Sequence, residues 1–539
     1  MKKLFTLLLF ASTLAIAQWN YDITENLPVT SKRSTTSNTV GTSDGKTYVF
    51  FYEIGEASTM TPRVQLLDKD GVKQFGENGI LINDITPLIT SSQPMDMVVD
   101  SENNLYATFV ASNNQIYLQK IEPTGNLPWG NSGIVVSAAG GLYPKILPLS
   151  NSVIVTYDSF ARVAQIVKFD KETGASSWAT PLAVGNIGGL TRTTLMEFSK
   201  LSDDSFVAVF QGRVNNFATT GKLYAQRYDS NGVALWNAPV EIHSATGVPR
   251  ISRFTHFVDS SDNFYIAYNS NLNASTLKYD AYVQKITPNG EIPWGMNGID
   301  ITTDNYSSES NPVMAIDGDY IWAMATGEIN DGTSKRGEVV QKINKNTGAL
   351  AFDEIGKIVF VPQSGADANM RMSTISFLNG KPTFVIVDNN DIAVNPIVLS
   401  VVSLNQDGEI YSNNPITSAS AKARISAVAK DNQIVVAWED KRTDGFEQIY
   451  AQNFKTDVMA TQNSIKNNEV RIYPNPVVSE LTVLSNSKIK LIELFDQSGR
   501  VIVSSKKNVL SLQKYPAGLY ILKTTFEDSS TITSKIIKK

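Results

Sequence analysis

Apolar and polar positions alternate along most of this chain in short runs, each closed by a cluster of Asn, Asp, Gly or Ser. That is the pattern of half-buried β-strands, and no stretch keeps an amphipathic helical period long enough to compete with it. Residues 95–137 show the unit, with strands predicted at Met95–Val99, Leu105–Val110, Ile116–Ile121 and Gly133–Ser137. The third strand of each unit runs into a turn glycine, and an aromatic residue follows four positions later. The pairs are Gly71/Phe75, Gly125/Trp129, Gly174/Trp178, Gly232/Trp236, Gly290/Trp294 and Gly348/Phe352; after Gly408 the aromatic, Tyr411, comes one position early. Glycine serves where the turn needs positive φ, and the aromatic is expected to cover the hairpin just beyond it.

Successive turn glycines lie 49 to 60 residues apart, a period that signals blades or solenoid coils. Four antiparallel strands repeated at that period predict an all-β chain built as a β-propeller. Turns after residues 67, 121, 169, 228, 286, 343 and 404, plus a terminal unit, give eight blades; seven, with one unit packed differently, is the alternative. The last unit has three strands, Arg424–Val428, Ile434–Glu439 and Gln448–Phe454, and no fourth. Gln18-Trp19-Asn20-Tyr21-Asp22-Ile23 repeats the pattern of Leu235-Trp236-Asn237 and Val240-Glu241-Ile242, so the N-terminus is expected to supply the missing strand and leave fewer open edges. Trp438, in the most repeat-like hairpin, is expected to pack between blades.

From residue 460 to 468 the pattern lapses into a polar linker. Seven short strands then follow, at Val470–Tyr473, Glu480–Leu484, Lys490–Asp496, Arg500–Ser504, Val509–Leu512, Gly518–Thr525 and Ile532–Ile537, enough for a small C-terminal β-sandwich. At the other end, Met1-Lys2-Lys3, an apolar run from Leu4 to Ile16 and Ala15-Ile16-Ala17 make a secretory signal over residues 1–17. The predicted domains are therefore a signal peptide at 1–17, a propeller at 18–459, a linker at 460–468 and a tail domain at 469–539. No other run reaches membrane-helix length, so no transmembrane segment is expected. Cysteine is absent, which leaves packing and strand pairing to hold the fold. Residues 18–466 carry a net charge of −12 and residues 467–539 one of +5. An acidic body argues against a nucleic-acid partner, whose phosphates need cations.

The tail resembles the type A C-terminal sorting domain of Bacteroidetes proteins exported by the type IX (Por) secretion system. The matching blocks are Ile472-Tyr473-Pro474-Asn475-Pro476, Glu480-Leu481-Thr482-Val483 and Leu494-Phe495-Asp496-Gln497-Ser498-Gly499-Arg500-Val501. Tyr515-Pro516-Ala517-Gly518-Leu519-Tyr520-Ile521-Leu522-Lys523 and Lys535-Ile536-Ile537-Lys538-Lys539 complete the series in order. The resemblance implies a sorting signal centred on Tyr473, Pro474, Asn475, Pro476, Gly499, Arg500, Gly518, Tyr520, Lys535 and Lys538. It also implies passage through the periplasm, partners in the secretion translocon and a sortase-like peptidase that removes the tail, and release or attachment to surface lipopolysaccharide. About residues 18–460 it implies nothing.

Candidate chemistry in the body is sparse. His243 and His256 are the only histidines, and without a His or Cys companion neither is expected to bind zinc or serve a Ser–His–acid triad. Acidic clusters at Asp68/Asp70, Asp203/Asp204, Asp259/Asp262, Asp317/Asp319 and Asp388/Asp391 fall at turns. Asx-turn chemistry accounts for them, with Ca²⁺ as the alternative and no other cofactor expected. Ser43-Asp44-Gly45-Lys46-Thr47-Tyr48 only approaches an Asp-box. Basic residues recur at the start of first strands, at Lys145, Arg250 and Arg424 and also at Arg192 and Arg371, and would form a partial cationic ring at one mouth of the channel, fit for carboxylates or sulfates. The competing expectation is that each pairs with a carboxylate such as Asp158 or Asp440. The function expected is a secreted or surface-attached module that binds glycan or protein without catalysis. The alternatives are a polysaccharide-acting hydrolase or lyase and a structural surface component.

Overall fold

The computed structural model describes residues 19–20, 22–56, 59–84, 96–111, 114–187, 189–215, 221–243, 255–270, 278–303, 306, 308–330, 334–364, 369–388, 397–442, 445–455, 470–473, 475–485, 488–496, 499–527 and 531–539. The signal-peptide and linker segments, Arg250 and Pro474 lie outside them. No α-helix occurs among the described residues, and no helix is long and apolar enough to cross a membrane. The chain divides into two compact units, Met1–Lys455 and Thr456–Lys539.

The first unit is a succession of antiparallel sheets in chain order. The second sheet is typical: Asp96–Val99, Leu105–Val110, Ile116–Ile121 and Ile134–Ser137 pair in sequence as inner, second, third and outer strands. Its middle strands are buried throughout, because both faces of every sheet are covered by neighbours. Eight such sheets are present among the described residues, with inner strands Ser34–Gly41, Asp96–Val99, Leu142–Pro148, Arg192–Lys200, Thr255–Val258, Ser308–Asp317, the split pair Met370–Arg371 and Ser376–Leu378, and Lys422–Lys430. A separate apolar cluster fills each junction. Phe50, Tyr52, Phe109 and Tyr117 join the first sheet to the second, and Trp438, Val385 and Val401 join the seventh to the eighth. Trp19, Val49, Phe51, Ile449 and Ala451 then join the eighth back to the first.

The N-terminus does complete the eighth sheet, but with residues other than those the pattern picked out. Leu27–Pro28 is the strand that pairs with Gln448–Lys455, Leu27 facing Ala451. Residues 22–25 are turned instead; Asn20 Oδ1 accepts the Asp22 amide and Asp22 Oδ1 accepts the Thr24 amide at 3.0 and 2.9 Å. Such side-chain bonds compete with a strand ladder. Trp19 plays the part of the repeated aromatic.

That part differs from covering the adjacent hairpin. Each aromatic lies against the turn glycine of the following sheet: Trp19 on Gly71, Phe75 on Gly125, Trp129 on Gly174, Trp178 on Gly232, Trp236 on Gly290, Trp294 on Gly348 and Phe352 on Gly408. A buried glutamine in the third strand fixes the loop that carries it. Gln65, Gln119, Gln284 and Gln341 donate through Nε2 to the carbonyls of Gly76, Gly130, Gly295 and Asp353, each one residue beyond the aromatic, at 2.6 to 3.0 Å. Gln452 donates in the same way to Asn20, at 2.6 Å. Tyr411 has no following turn glycine to cover; it is 62% exposed, with the Lys381 ammonium 4.5 Å over its ring.

This order of strands gives the unit two unlike faces. On one, the third-to-outer connections 68–79, 122–133, 171–181, 229–239, 287–298 and 345–356 are all eleven or twelve residues long. The short inner-to-second turns on the same face are latched to their neighbours: Asn103 Oδ1 accepts the Ser43 amide, Asp204 Oδ1 that of Ser150 and Asp262 Oδ1 that of Ser202, at 2.8 to 2.9 Å. On the opposite face the described strands stand three (331–333) to nine (271–279) residues apart between second and third strands, and four (138–141) to fourteen (82–95) between outer and inner ones, much of the intervening chain lying outside the described residues.

In the second unit, Val470–Tyr473, Glu480–Ser485 and Val509–Ser511 form one sheet, and Val501–Ser505, Ile489–Phe495, Gly518–Phe526 and Thr531–Lys538 a second. Leu481, Val483, Ile492, Leu494, Leu522 and Ile536 share one core.

The glycine contacts predict a graded response to substitution. Gly290→Ala adds a methyl 3.0 Å from the Trp236 ring at φ +85° and should cost roughly 2–4 kcal/mol. Gly380→Ala, at φ +71° with nothing within 4 Å, should cost about 1 kcal/mol. Urea unfolding midpoints check this, and equal losses would contradict the contact.

Candidate functional site

The described basic residues expected to ring the channel sit on inner strands, and three of them, Lys145, Arg371 and Arg424, meet a glutamate. Lys145 Nζ lies 2.7 Å from Glu197 Oε1, on the next sheet. Arg371 Nε lies 3.0 Å from Glu338 Oε2, both side chains buried, and Nη1 donates to the Ser373 carbonyl at 3.1 Å. Arg424 Nη1 lies 2.6 Å from Glu439 Oε2 and 2.8 Å from the Thr35 hydroxyl. Arg192 reaches the Thr191 carbonyl at 3.4 Å. The expected partners Asp158 and Asp440 are committed elsewhere. Asp158 accepts the Thr194 hydroxyl at 2.8 Å, and Asp440 takes Arg442 at 2.7 Å, the Trp438 indole N–H at 3.0 Å and the Ser420 hydroxyl at 2.8 Å.

Around Lys145 the pairing extends into a line across four successive inner strands. Asp96, Lys145 and Glu197 hold corresponding places, facing Thr108, Thr156 and Val209 on their second strands. Asp96 Oδ2 accepts the Ile146 amide at 2.7 Å. Glu197 Oε2 lies 3.4 Å from Nδ1 of His256, whose ring stacks on Phe264 at 5.7 Å. Burial pushes the Asp96 carboxyl up to about 6, against the pull of Lys145 and the Ile146 amide. Burial works against the Lys145 ammonium, yet Glu197 and Asp96 outweigh it and hold its pKa above the ordinary lysine value. Burial lowers the pKa of His256, and Lys145 adds to that against Glu197. A neutral imidazole with Nδ1 toward a carboxylate is the arrangement of a general base. Among the described residues no hydroxyl is bonded to it.

The recurring cations in the sequence do not by themselves point to the acids of this line. Asp96 and Glu197 are isolated carboxylates in apolar strand sequence at the place Lys145 occupies, and aligning the units at Lys145 would have found them. His243 is buried; its Nδ1 meets the Tyr268 hydroxyl at 3.0 Å, and burial pushes its pKa down to about 4.

A second concentration of ionisable groups lies between the fifth and sixth sheets. Glu309 Oε2 accepts the Ala281 amide at 3.0 Å and its other oxygen takes the Thr302 hydroxyl. Asp300 Oδ1 accepts the Thr302 amide at 3.1 Å, and Asp280 lies 3.8 Å from Lys278. Burial, then Asp280, pushes Asp300 up to about 7; burial, then Asp300 and Asp280 against the Thr302 and Ala281 bonds, pushes Glu309 up to about 8. Among the described residues no group of three or more His, Asp and Glu side chains is placed to hold a metal ion. The acidic turns use their carboxylates on their own backbone: Asp68 accepts the Asp70 and Val72 amides, Asp203 that of Ser205, and Asp259 those of Ser261 and Asn263.

In the second unit, Asn475 ties the tail's opening block to its last strand, donating to the Lys535 carbonyl at 2.8 Å and accepting the Ile537 amide at 2.9 Å. Gly499 turns at φ +80°, and Arg500 Nε donates to Asp496 at 3.1 Å. The Tyr520 hydroxyl donates to the Pro516 carbonyl at 2.8 Å. Tyr473, Gly518 and Lys538 are ladder residues, facing Thr482 in one sheet and each other in the second.

Residues 471–539 match the family of secretion system C-terminal sorting domains. No curated protein matches the chain in sequence. Solved structures similar to it include the WD40 domain of SCAP from fission yeast, at 10% identity and TM-score 0.42 over 79% of this chain and 96% of that one. Polysaccharide lyase Uly1 matches at 10% identity and TM-score 0.38 over 71% and 95%. A prolyl endopeptidase matches at 13% identity and TM-score 0.40; the match takes in 76% of this chain but only 55% of the endopeptidase. Likenesses at these values assign no substrate. The propeller-like character of the first unit is written in its own sheet order.

Two measurements follow from these networks. Glu197→Gln leaves Lys145 without its partner and should cost roughly 2–4 kcal/mol, with Lys145→Met in the same chain restoring most of it; no recovery would show that the two are not coupled. Asp300 and Glu309 hold protons more tightly folded than unfolded, so their contribution favours folding at low pH and is lost as pH rises from near 4 through about 7 and 8. His243 and His256, with lowered values, act oppositely and cost stability as pH falls below about 6.5. Glu309→Gln should therefore raise Tm at pH 8.5 by roughly 2 °C or more and leave it little changed at pH 5; an equal shift at both would contradict the assignment.

Proposed function

We propose that this chain, a cargo of the type IX secretion system by its C-terminal sorting domain, is an eight-bladed β-propeller that binds glycan or protein, without covalent chemistry, at or beyond the outer cell surface. The observation that carries this reading is the inequality of the two faces. In the first six sheets the third-to-outer connections of one face keep to eleven or twelve residues, because each must seat an aromatic on the next turn glycine; the seventh, 405–409, seats none and is only five residues long. The other face is released from that constraint, and variable connections on a rigid scaffold are where recognition resides. Of the inner-strand cations Lys145, Arg250, Arg371 and Arg424, we assign Arg424 to the binding face, because 46% of its side chain is exposed beside Glu439.

The remainder follows from the export route. Residues 1–17 direct the chain into the periplasm, and residues 18–459 travel as the propeller. The tail, a small β-sandwich, engages the translocon and is then cut by a sortase-like peptidase. A polysaccharide-acting hydrolase or lyase is the second reading, and the Glu197–His256 pair favours it, because that pair could hold and return a proton in the channel.

The mature chain should bind immobilised glycans or outer-surface proteins saturably and release no reducing ends from polysaccharide. Release that vanishes in Glu197→Gln would move the assignment to the second reading, and no binding of either class would remove the first. A chain lacking residues 470–539 should accumulate in the periplasm; unchanged export would contradict the sorting assignment.

A further inference from the structure

Between the third and fourth sheets, on the face opposite the aromatic-bearing loops, the first unit gathers arginines around one buried carboxylate, Asp158, which attracts both Arg162 and Arg213. Arg192 and Arg213 face each other directly across the ladder of the fourth sheet. Arg162 stands beside them, its carbonyl accepting the Thr193 amide at 2.9 Å. Like charges directly opposite on a sheet are unfavourable. The one carboxylate nearby, Asp158, is buried and bonded to the Thr194 hydroxyl. Among the described residues neither Arg162 nor Arg213 has a carboxylate within 4.0 Å; Arg213 Nη2 donates to Gln211 Oε1 at 2.6 Å, and Arg162 lies over the ring of Tyr143 at 5.7 Å. In a body with a net charge of −12, that is a departure that needs a reason.

Aromatic surface adjoins the charge. Tyr143 is 38% exposed and Phe160 56%, and Phe160 is seated on Gly140, where a Cβ would stand 3.0 Å from its ring. Tyr143 and Arg162, the two partners of the cation–π contact, both hold left-handed backbone, at φ +54° and +58°. Neither is a glycine, so each is held there at a cost to the backbone. Two strained residues thus present a guanidinium and a ring side by side.

We propose that Arg162, Arg213, Tyr143 and Phe160 form a binding site for acidic saccharide, the guanidinium groups taking a sugar carboxylate or sulfate and the aromatic rings the apolar face of the sugar. A guanidinium fork matches either anion in two parallel hydrogen bonds, which an ammonium cannot do. The site rests on the binding reading above and gives it a ligand class.

The test uses the full mature chain with polygalacturonate, dextran sulfate and uncharged dextran at low and high NaCl. Both anionic polymers should bind, weakening with salt, and dextran should not; carboxylate and sulfate are separated by which polymer binds more tightly. Arg162→Gly, which suits the left-handed backbone, and Arg213→Gln should each weaken anionic binding about ten-fold or more with Tm unchanged. Arg213→Lys, which keeps charge but loses the fork, should fall between. Anionic binding that survives Arg162→Gly with Arg213→Gln, or dextran bound as well as its sulfate, overturns the site and leaves the binding reading in place. Binding of no glycan and no protein at all overturns both.

Discussion

Closure of the first unit is the constraint on which the rest depends. Its eighth sheet contributes three strands from the end of the unit, and the fourth, Leu27–Pro28, comes from the N-terminal segment. Three interactions hold that segment: the short ladder with Gln448–Lys455, the Gln452 side chain on the Asn20 carbonyl, and Trp19 against Gly71 with its indole N–H on the Lys69 carbonyl. Without them the eighth sheet keeps a free edge and the apolar junction containing Val49, Phe51 and Ile449 opens to water. Because the chain has no cysteine, no covalent bond can substitute.

The same device recurs at the other junctions. An aromatic from one sheet lies on a glycine of the next, and in most sheets a buried glutamine in the third strand fixes the loop that carries the aromatic. This explains why glycine recurs at these turns and why the third-to-outer connections of the first six sheets are uniform in length. It also explains the exception, since Tyr411 comes where no further turn glycine follows. The two faces then separate by role, one spent on holding sheets together and the other available for recognition.

Much of this was legible in the sequence. The period, the strands of the repeated units, the use of the N-terminus to complete the last sheet, though not the residues that do so, and the strands of the tail all follow from alternation and turn residues, which are local signals. What a local signal cannot carry is the partner. Trp19-Asn20-Tyr21-Asp22-Ile23 alternates like a strand, yet Asn20 and Asp22 turn their oxygens onto their own backbone. Lys145, Arg371 and Arg424 read as one recurring cation because a sequence does not show that Glu197, Glu338 and Glu439 arrive beside them from neighbouring strands. His256 has no His or Cys companion in the sequence, and its carboxylate neighbour, Glu197, lies 59 residues earlier.

The most direct test of closure uses the absence of native cysteine. Leu27→Cys with Ala451→Cys places a single thiol pair at facing positions of the short ladder, within the span a disulfide can bridge. The closed unit predicts that the pair forms its bond in the folded chain when dissolved oxygen is the oxidant, and that the bond raises Tm. Two thiols that stay free in the folded protein would show that the N-terminal segment does not complete the eighth sheet, and the closed unit would have to be abandoned.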